Sequence, residues 1–168
     1  MANQRRRLSI SFLIRPARID DVRAMTTLIE QRREQYERVQ PVFWKRAARS
    51  ASTTRWFYTS LLILARHKLV LVADRDGGLL GFLIARRVRT PPVYSPGGPT
   101  AIVDDFCVKH PEDWMAVGGA LLAEARALGR KAGWSQIVVV CGAEDEPKAA
   151  FLRATDLAVV TNWWRGAA

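Results

Sequence analysis

The sequence predicts an α+β fold in which a mixed, mostly antiparallel central sheet carries helices on both of its faces. Short apolar segments alternate along the chain with longer segments whose apolar residues recur every three or four positions. A tight turn joins two apolar segments as an antiparallel hairpin, whereas a helix separates two others, which must be parallel if they are neighbours. The 168 residues, of which 49% are hydrophobic and 25% charged, are typical of one globular domain. We assign this domain to residues 8–168, behind a basic segment at residues 1–7.

The first elements are predicted to be a strand and two helices. Alternating apolar residues predict a strand over residues 8–14. Asp20 and Asp21 are suited to the first turn of a helix that continues to about residue 38, because carboxylates are favourable at the positive end of the helix dipole. A second helix is predicted over residues 52–66. Its expected apolar stripe consists of Phe57, Leu61 and Leu64.

The middle of the chain predicts a hairpin, a long loop and a strand that carries carboxylates. Residues 69–73 and 79–85 are apolar, and the Asp- and Gly-rich residues between them are typical of a turn. Residues 90–99 contain four prolines and two glycines, which indicates a loop. Residues 101–108 predict a strand in which two adjacent aspartates interrupt an apolar pattern.

The last third of the chain predicts two helices and two strands. A helix is expected over residues 113–132, because Gly133 is suited to end it. Residues 136–141 are almost continuously apolar, which is typical of a strand covered on both sheet faces. A short helix is expected over residues 147–154, because proline is favoured in a first helical turn. Residues 158–164 predict the last strand.

The charge is distributed unevenly along the chain, which carries a formal net charge of +10. Residues 1–90 contain 19 Lys and Arg against 7 Asp and Glu, whereas residues 91–168 contain 7 against 9. A basic half indicates an anionic partner, such as a nucleotide cofactor, an acidic substrate or nucleic acid. A solvated surface rich in arginine is the alternative interpretation, because net charge governs solubility and association rather than the fold.

The number of cysteines and the length of the apolar segments indicate the compartment in which the protein works. Cys107 and Cys141 are too few for a disulfide scaffold, and their spacing matches no metal-binding motif. The apolar segments are too short to span a bilayer, and no secretory signal pattern follows the basic start. We therefore expect a cytoplasmic protein without a bound metal and without a membrane partner.

The junction between the strand at 101–108 and the following helix is the most informative part of the sequence. Small residues such as Ala116, Gly118 and Gly119 allow a ligand to approach the backbone closely. The N–H groups of a first helical turn and the helix dipole favour an anion such as a pyrophosphate. Tight packing of the helix against a sheet is the alternative explanation for the two glycines.

Four segments resemble the GNAT acyltransferase superfamily, and together they cover almost the whole chain from about residue 13. They are Ile-Arg-Pro-Ala at 14–17, Leu-Gly-Phe-Leu at 80–83, the strand and helix at 102–122, and Ala-Ala-Phe-Leu-Arg at 149–153. The resemblance implies an N-acetyltransferase that takes acetyl-CoA as co-substrate and acetylates a primary amine by direct attack in a ternary complex. The implied acceptor is a small-molecule or peptide amine. A homodimer is a further partner that the resemblance allows.

The resemblance also implies which residues hold acetyl-CoA. The pantetheine arm is expected along the strand, and backbone amides at the helix start are expected to hold the pyrophosphate. Lys109, His110 or Lys148 is expected to supply a positive charge there. The residues expected to hold acetyl-CoA are Phe106, Cys107, Val108, Met115, Ala116, Val117, Gly118, Gly119, Ala120 and Lys148. Asp113 stands where the family usually has Arg or Gln, and Glu112 adds a second carboxylate, so looser binding is expected. Leu152 stands where the family often has the tyrosine that protonates the CoA thiolate.

The two adjacent aspartates are the candidate catalytic residues, as proton acceptors for an attacking amine. Asp104 and Asp105 point to opposite faces in a regular strand, so that one faces the cleft and the other faces a helix layer or lies at a distortion. The alternation does not distinguish them, and an ion pair with an arginine is the alternative role. The acceptor is expected to lie against aromatic side chains of the first two helices and of the loops. These side chains are Tyr36, Phe43, Trp44, Trp56 and Tyr94.

Two other functions stay open at this point. Asp113 and Leu152 differ from the residues that the family usually has at these positions. These differences favour a degenerate acyl-CoA-binding regulatory module, which measurable turnover with amines would exclude. The basic first half favours an RNA-directed enzyme that acetylates an aminoacyl-tRNA, whose RNA binding would weaken steeply with salt. Nucleic acid is the less favoured partner.

Overall fold

The computed structural model describes residues 11–64 and 68–166, which form a five-stranded sheet with its strands in chain order. The pairings are antiparallel up to the fourth strand, and the last pairing is parallel. The parallel pair requires the long crossover that a helix provides between its strands. The strands are β1 (Leu13–Pro16), β2 (Lys68–Arg75), β3 (Gly78–Val88), β4 (Thr100–Val108) and β5 (Gln136–Val139).

Four α-helices occur within the described residues. They are α1 (Val22–Val39), α2 (Ser50–Leu64), α3 (Gly119–Lys131) and α4 (Glu146–Arg153). A 3-10 turn at Pro111–Asp113 and a single π-helical turn at Trp114–Gly118 lead directly into α3. The helix predicted over 113–132 is therefore a continuous helical run that changes its hydrogen-bond pattern twice near its start.

The sheet separates two apolar cores, which confirms the predicted α+β fold with helices on both faces. Leu71 and Val72 are neighbours on β2 and belong to different cores, because side chains alternate between the faces of a strand. The core under α1 and α2 includes Met25, Ile29, Leu61, Val72 and Phe82. The core under α3 and α4 includes Leu71, Leu83, Val103, Leu121 and Phe151.

The β2–β3 hairpin turns through Asp76 and Gly77, whose φ angles are 52° and 81°. Two consecutive residues with positive φ are typical of a type I′ turn, which favours Asn, Asp and Gly. The Asp74 carboxylate accepts hydrogen bonds from the Gly77 N–H and from Arg15 of β1, both at 3.0 Å. The predicted turn therefore also attaches the edge strand β1 to the hairpin.

The buried side of α2 differs from the predicted stripe. Tyr58 and Leu61 are buried, whereas Phe57 and Leu64 are 42% and 75% exposed. The helix presents Tyr58 to the sheet, because this side chain packs against Phe82 and its hydroxyl hydrogen-bonds to β4. Hydrophobicity alone does not reveal this preference, since the polar tip of Tyr58 needs a partner when it is buried.

Within the described residues, which begin at residue 11, the first strand begins and ends two residues later than predicted. β1 begins at Leu13, and the beginning of the strand predicted over 8–14 lies outside the described residues. The basic segment at 1–7 and the predicted end of the second helix at 65–66 also lie outside them.

The last part of the sheet contradicts two predictions. β5 lies at the edge of the sheet and is only half-buried, whereas a strand covered on both faces was predicted. Residues 158–164 form no strand, and Trp163 and Trp164 are 85% and 93% exposed. Apolar composition favours a strand, but a strand also needs a pairing partner, and this segment has none in the described chain. No helix in residues 11–64 and 68–166 is long and apolar enough to cross a membrane.

Candidate active site

β4 is irregular at its two aspartates. The pairing of β3 with β4 shifts between Leu83 and Ala85, so that Asp104 and Asp105 together oppose Ile84. Such a β-bulge bends the strand and re-aims its side chains. The strand is therefore distorted at the carboxylates, which is one of the two arrangements that the sequence left open.

Asp105 lies in a partly enclosed polar environment. Its side chain is 21% exposed, and one carboxylate oxygen accepts a hydrogen bond from the Tyr58 hydroxyl at 2.9 Å. Arg33 Nη2 lies 3.9 Å from the other oxygen. Burial raises the pKa of Asp105 above its ordinary value, although Arg33 and Tyr58 act in the opposite direction. A carboxylate with a raised pKa is better matched to accepting a proton near neutral pH.

Asp104 has a different environment from its neighbour. Its carboxylate is paired with Arg86 of β3 at 2.9 Å, and its side chain is 38% exposed. It also accepts a hydrogen bond from the Asp105 N–H at 3.1 Å. These contacts stabilise the bulge and leave Asp105 as the more enclosed of the two carboxylates.

β4 and β5 part immediately beside the bulge. Val139 of β5 pairs with Val103, and the Val140 N–H donates to the Val103 carbonyl at 2.8 Å. Beyond this point β4 continues to Val108, but β5 has ended. We call the space beside Phe106–Val108 on this side the strand gap.

The hydrogen bonds between β4 and β3 indicate which backbone groups of β4 face the strand gap. The Lys109 N–H donates to the Leu80 carbonyl on the β3 side at 2.7 Å. Because backbone groups alternate in direction along an antiparallel strand, those of Phe106 and Val108 face away from β3 and toward the strand gap. The Phe106 carbonyl accepts a hydrogen bond from Lys148 Nζ at 3.1 Å, in agreement with this direction.

Cys107 belongs to the core rather than to the strand gap. Its side chain is 1% exposed and packs with the residues under α1 and α2. Burial raises the pKa of its thiol to about 12. The reactive thiolate is therefore strongly disfavoured, which argues against a nucleophilic role for Cys107.

Lys148 is a buried cation beside the strand gap. Its residue exposure is 2%, and its ammonium group lies 5.2 Å from the ring centre of Phe106 and 5.5 Å from that of Trp114. Burial lowers the pKa of Lys148 to about 8. Lys148 was one of the residues predicted to assist cofactor binding, and its ammonium group is enclosed beside β4 rather than exposed on the surface.

The π-helical turn before α3 is organised around Trp114. This side chain is 2% exposed and lies between Phe106, at 4.9 Å between ring centres, and Phe151, at 5.4 Å. A Cβ atom on Gly118 would lie 2.7 Å from Trp114 Cε3, so this position requires glycine. The tight packing proposed as the alternative reading of the glycines therefore applies to Gly118. Single π-turns are frequent at functional sites.

The predicted pyrophosphate residues differ in their exposure. Met115 and Ala116 are exposed, Gly119 and Ala120 are half-buried, and Val117 and Gly118 are buried. A Cβ atom on Gly119 would meet only Phe151, at 4.0 Å. The accessible part of the segment therefore comprises the first two residues and the last two.

A cleft of about 370 Å³ lies between α1, the α1–α2 loop and β4, and Asp105 forms part of its wall. Three of the predicted acceptor residues, Tyr36, Phe43 and Trp44, line it together with Lys148. The remaining lining residues are Ile29, Arg32, Arg33, Lys45, Arg46, Ala47, Ser50, Asp104, Phe106 and Val140. Trp56 and Tyr94 are 71% and 70% exposed and do not line this cleft.

An ion pair connects α1 to the start of α4 at the edge of the cleft. Arg32 contacts the buried carboxylate of Asp145, which also accepts a hydrogen bond from the Tyr36 hydroxyl at 2.7 Å. The Arg32 guanidinium lies 5.6 Å from the ring centre of Trp114. These contacts hold the cleft wall against the π-turn.

Arg32 and Arg33 were not predicted as site residues, and Tyr58 was considered only as a tyrosine that could reach the site from elsewhere in the chain. Arg32 and Tyr36 are four residues apart on α1, which puts them on the same helix face, so a basic and aromatic face was a usable signal. Tyr58 gives no comparable signal, because its partner Asp105 is 47 residues away along the chain.

Replacing Tyr58 by Phe is expected to raise the pKa of Asp105 further. The Tyr58 hydroxyl donates to the charged carboxylate, and loss of that donor disfavours ionisation. Carboxyl-carbon NMR titration measures this pKa directly, with Asp104 as the internal control. An unchanged pKa of Asp105 would contradict the assigned hydrogen bond.

No protein-family model matches the sequence, and no curated protein matches it. Solved structures do resemble the fold. A tetramutant of the BH1408 protein from Bacillus halodurans has a TM-score of 0.77 at 16% identity, covering 93% of this chain and 99% of that one. An acetyltransferase from Clostridium acetobutylicum, described as predicted and solved with acetyl-CoA, has a TM-score of 0.67 at 13% identity, covering 94% and 96%.

A third similar structure is the ribosomal-protein-alanine N-acetyltransferase from Brucella melitensis biovar Abortus. Its TM-score is 0.65 at 20% identity, and the match covers 94% of this chain and 98% of that one. The similar structures include GNAT acetyltransferases, and the matched parts comprise nearly the entire chains. The fold that the sequence resemblance implied is thus confirmed: this chain has the GNAT fold.

Proposed function

We propose that this protein is an N-acetyltransferase, which transfers the acetyl group of acetyl-CoA to a primary amine by direct attack in a ternary complex. The observation that carries the proposal is the position of Asp105. Its half-buried carboxylate lies at the bulge of β4, next to the first backbone groups that face the strand gap. A proton acceptor thus adjoins a strand edge along which an extended thioester can lie.

The residues along the strand gap fit the pantetheine arm of acetyl-CoA. The arm contains amide groups, which pair with unpaired backbone N–H and C=O groups of a strand edge. The Phe106 N–H and the backbone groups of Val108 are such groups, whereas the Phe106 carbonyl is already engaged by Lys148. Met115, Ala116, Gly119 and Ala120 offer accessible backbone for the pyrophosphate. Bound acetyl-CoA supplies an activated acyl group with a thiolate as leaving group.

The carboxylates before the π-turn act against the pyrophosphate. Glu112 is exposed and Asp113 half-buried in the 3-10 turn, where an incoming polyanion meets like charge. We therefore infer moderate rather than tight affinity for acetyl-CoA, and affinity that increases when Asp113 is neutralised.

Asp105 takes the proton that the attacking amine loses, either directly or through one water. Tyr58 and Arg33 hold its carboxylate in place. Asp104 contributes through the shape of the bulge, since its carboxylate is engaged by Arg86. The aromatic side chains Tyr36, Phe43 and Trp44 form the apolar wall for the acceptor.

The acceptor is a small-molecule amine or the amino group of a peptide. Five cationic residues line the cleft against two aspartates, which favours an acceptor that carries an anionic group beside its amine. Amino acids and phosphorylated amines should therefore be better acceptors than polyamines at the same concentration.

The proposal is tested first by ligand-induced stabilisation with acetyl-CoA, with CoA and with ATP as the anion control. A ligand at about 100 times its Kd adds about 2.7 kcal/mol of stability, which corresponds to a rise of roughly 5–10 °C in Tm. We expect this rise with both CoA species and not with ATP, and release of free CoA thiol when an acceptor amine is added. No rise with either CoA species would overturn the proposal.

A second candidate, an acyl-CoA-binding module without turnover, is favoured by Glu112 and Asp113 at the expected pyrophosphate site. Stabilisation by acetyl-CoA without thiol release across the amine panel would support it. Thiol release that depends on the added amine would exclude it.

A further inference from the structure

The buried ammonium group of Lys148 has fewer partners than its burial requires. An ammonium group has three donors, and one of them is used by the Phe106 carbonyl. None of the ion pairs in residues 11–64 and 68–166 includes Lys148, even though burying an unpaired charge is costly. A cation retained under these conditions points to a negative charge that appears during function.

Lys148 lies close both to the proposed proton acceptor Asp105 and to the strand along which the thioester is proposed to lie. Its ammonium group contacts the carbonyl of Phe106, the residue directly after Asp105, and both Lys148 and Asp105 line the same cleft. The ammonium therefore lies beside the part of β4 along which the thioester is proposed to lie.

The reaction generates a negative charge that needs such a group. When an amine attacks a thioester, the carbon–sulfur bond breaks and its electron pair leaves with sulfur. Burial disfavours the resulting thiolate unless a cation or a proton donor is near.

The tyrosines of this chain are engaged elsewhere or distant. The sequence contains three, of which Tyr58 donates to Asp105 and Tyr36 donates to Asp145. Tyr94 is 70% exposed in the loop before β4. Lys148 is thus an enclosed proton donor beside the strand gap that has donor capacity left.

We propose that Lys148 is the group that receives the departing thiolate of CoA and transfers a proton from its ammonium to the sulfur. This inference rests on the proposed function. The amine proton goes to Asp105, the ammonium proton goes to sulfur, and the products are the acetylated amine and CoA thiol. Lys148 then regains a proton from solvent as Asp105 releases one, so the protons balance over a cycle.

The protonation equilibrium of Lys148 agrees with this role. Its pKa of about 8 is close to that of an ordinary thiol, so proton transfer to sulfur is nearly balanced. Because the ammonium is the active form, activity is expected to fall as pH rises through about 8. The titratable and charged groups that face it are Arg32 from α1, Asp105 and Cys107 from β4, and Cys141 after β5.

The test compares binding of CoA and of desulfo-CoA, which has hydrogen in place of the thiol, by calorimetry between pH 7 and 9. We expect the wild-type protein to prefer CoA and to release protons as the bound thiol ionises beside Lys148. Lys148→Met should lower the ratio of the two affinities at pH 8 by about tenfold or more, since a charge-assisted contact is lost. Lys131→Met, which removes an exposed lysine at the end of α3, is the matched control.

The outcomes separate this inference from the proposed function. A wild-type protein that binds neither compound overturns both. If Lys148→Met keeps the preference for CoA, the proton release and the fall in activity above pH 8, the role of Lys148 is overturned while the acetyltransferase proposal stands. Folding of the variant is checked by its Tm, which we expect not to fall, because methionine replaces a desolvated charge with an apolar chain of similar length.

Discussion

Replacing Asp105 by Asn is expected to lower kcat/KM for acetyl transfer by about 10²–10⁴-fold, the usual contribution of a general base. The amide preserves the size of the side chain but cannot accept the amine proton. Because the carboxylate is the active form and burial raises its pKa, wild-type activity should increase as pH rises through that raised value. The Asn variant should lose this acidic limb of the pH profile, as measured by CoA thiol release.

Asp104→Asn is the matched control, because the two residues are adjacent and differ mainly in their partners. Asp104 is paired with Arg86 on the exposed side of the bulge, so its neutralisation should leave the acidic limb in place. An equal loss in both variants would show that the bulge rather than the Asp105 carboxylate carries the effect. Full activity of Asp105→Asn would show that the proton leaves by another route.

Replacing Trp114 by Ala is expected to destabilise the protein by about 3–5 kcal/mol, the usual cost of removing a buried large aromatic side chain. The corresponding fall in Tm is roughly 6–20 °C for a domain of this size. Trp114 packs against Phe106 and Phe151, and Arg32 lies over its ring, so a cavity there disturbs both the π-turn and the cleft wall. Urea unfolding measures the free-energy change.

Trp56→Ala provides the comparison for Trp114, since Trp56 is 71% exposed on α2. Its replacement should change the unfolding free energy by less than about 0.5 kcal/mol. In Trp114→Ala protein that remains folded, stabilisation by acetyl-CoA should also decrease. A small change in stability for Trp114→Ala would contradict its assigned place in the core.

Most of the strands and helices could be predicted from local sequence patterns. The predictions that failed have a common physical cause. The hairpin was predictable because Asp76 and Gly77 satisfy a turn within a few residues of chain. The failed prediction at 158–164 and the misplaced stripe of α2 both depended on distant partners. A strand requires a neighbour and Tyr58 requires Asp105, and neither requirement is visible in a short window of sequence.

The sequence by itself determined the α+β class, the placement of two carboxylates on one strand, and a glycine-containing helix start after it. These features depend on periodicity and on residue type, which act locally. Only the tertiary structure decided that Asp105 is the enclosed carboxylate, because the bulge in β4 arises from its pairing with β3. It also decided that Lys148 lies buried on Phe106 and that Trp114 fills the space behind the π-turn. Burial and long-range pairing determine the chemistry of these groups, and both depend on chain segments that are distant in sequence.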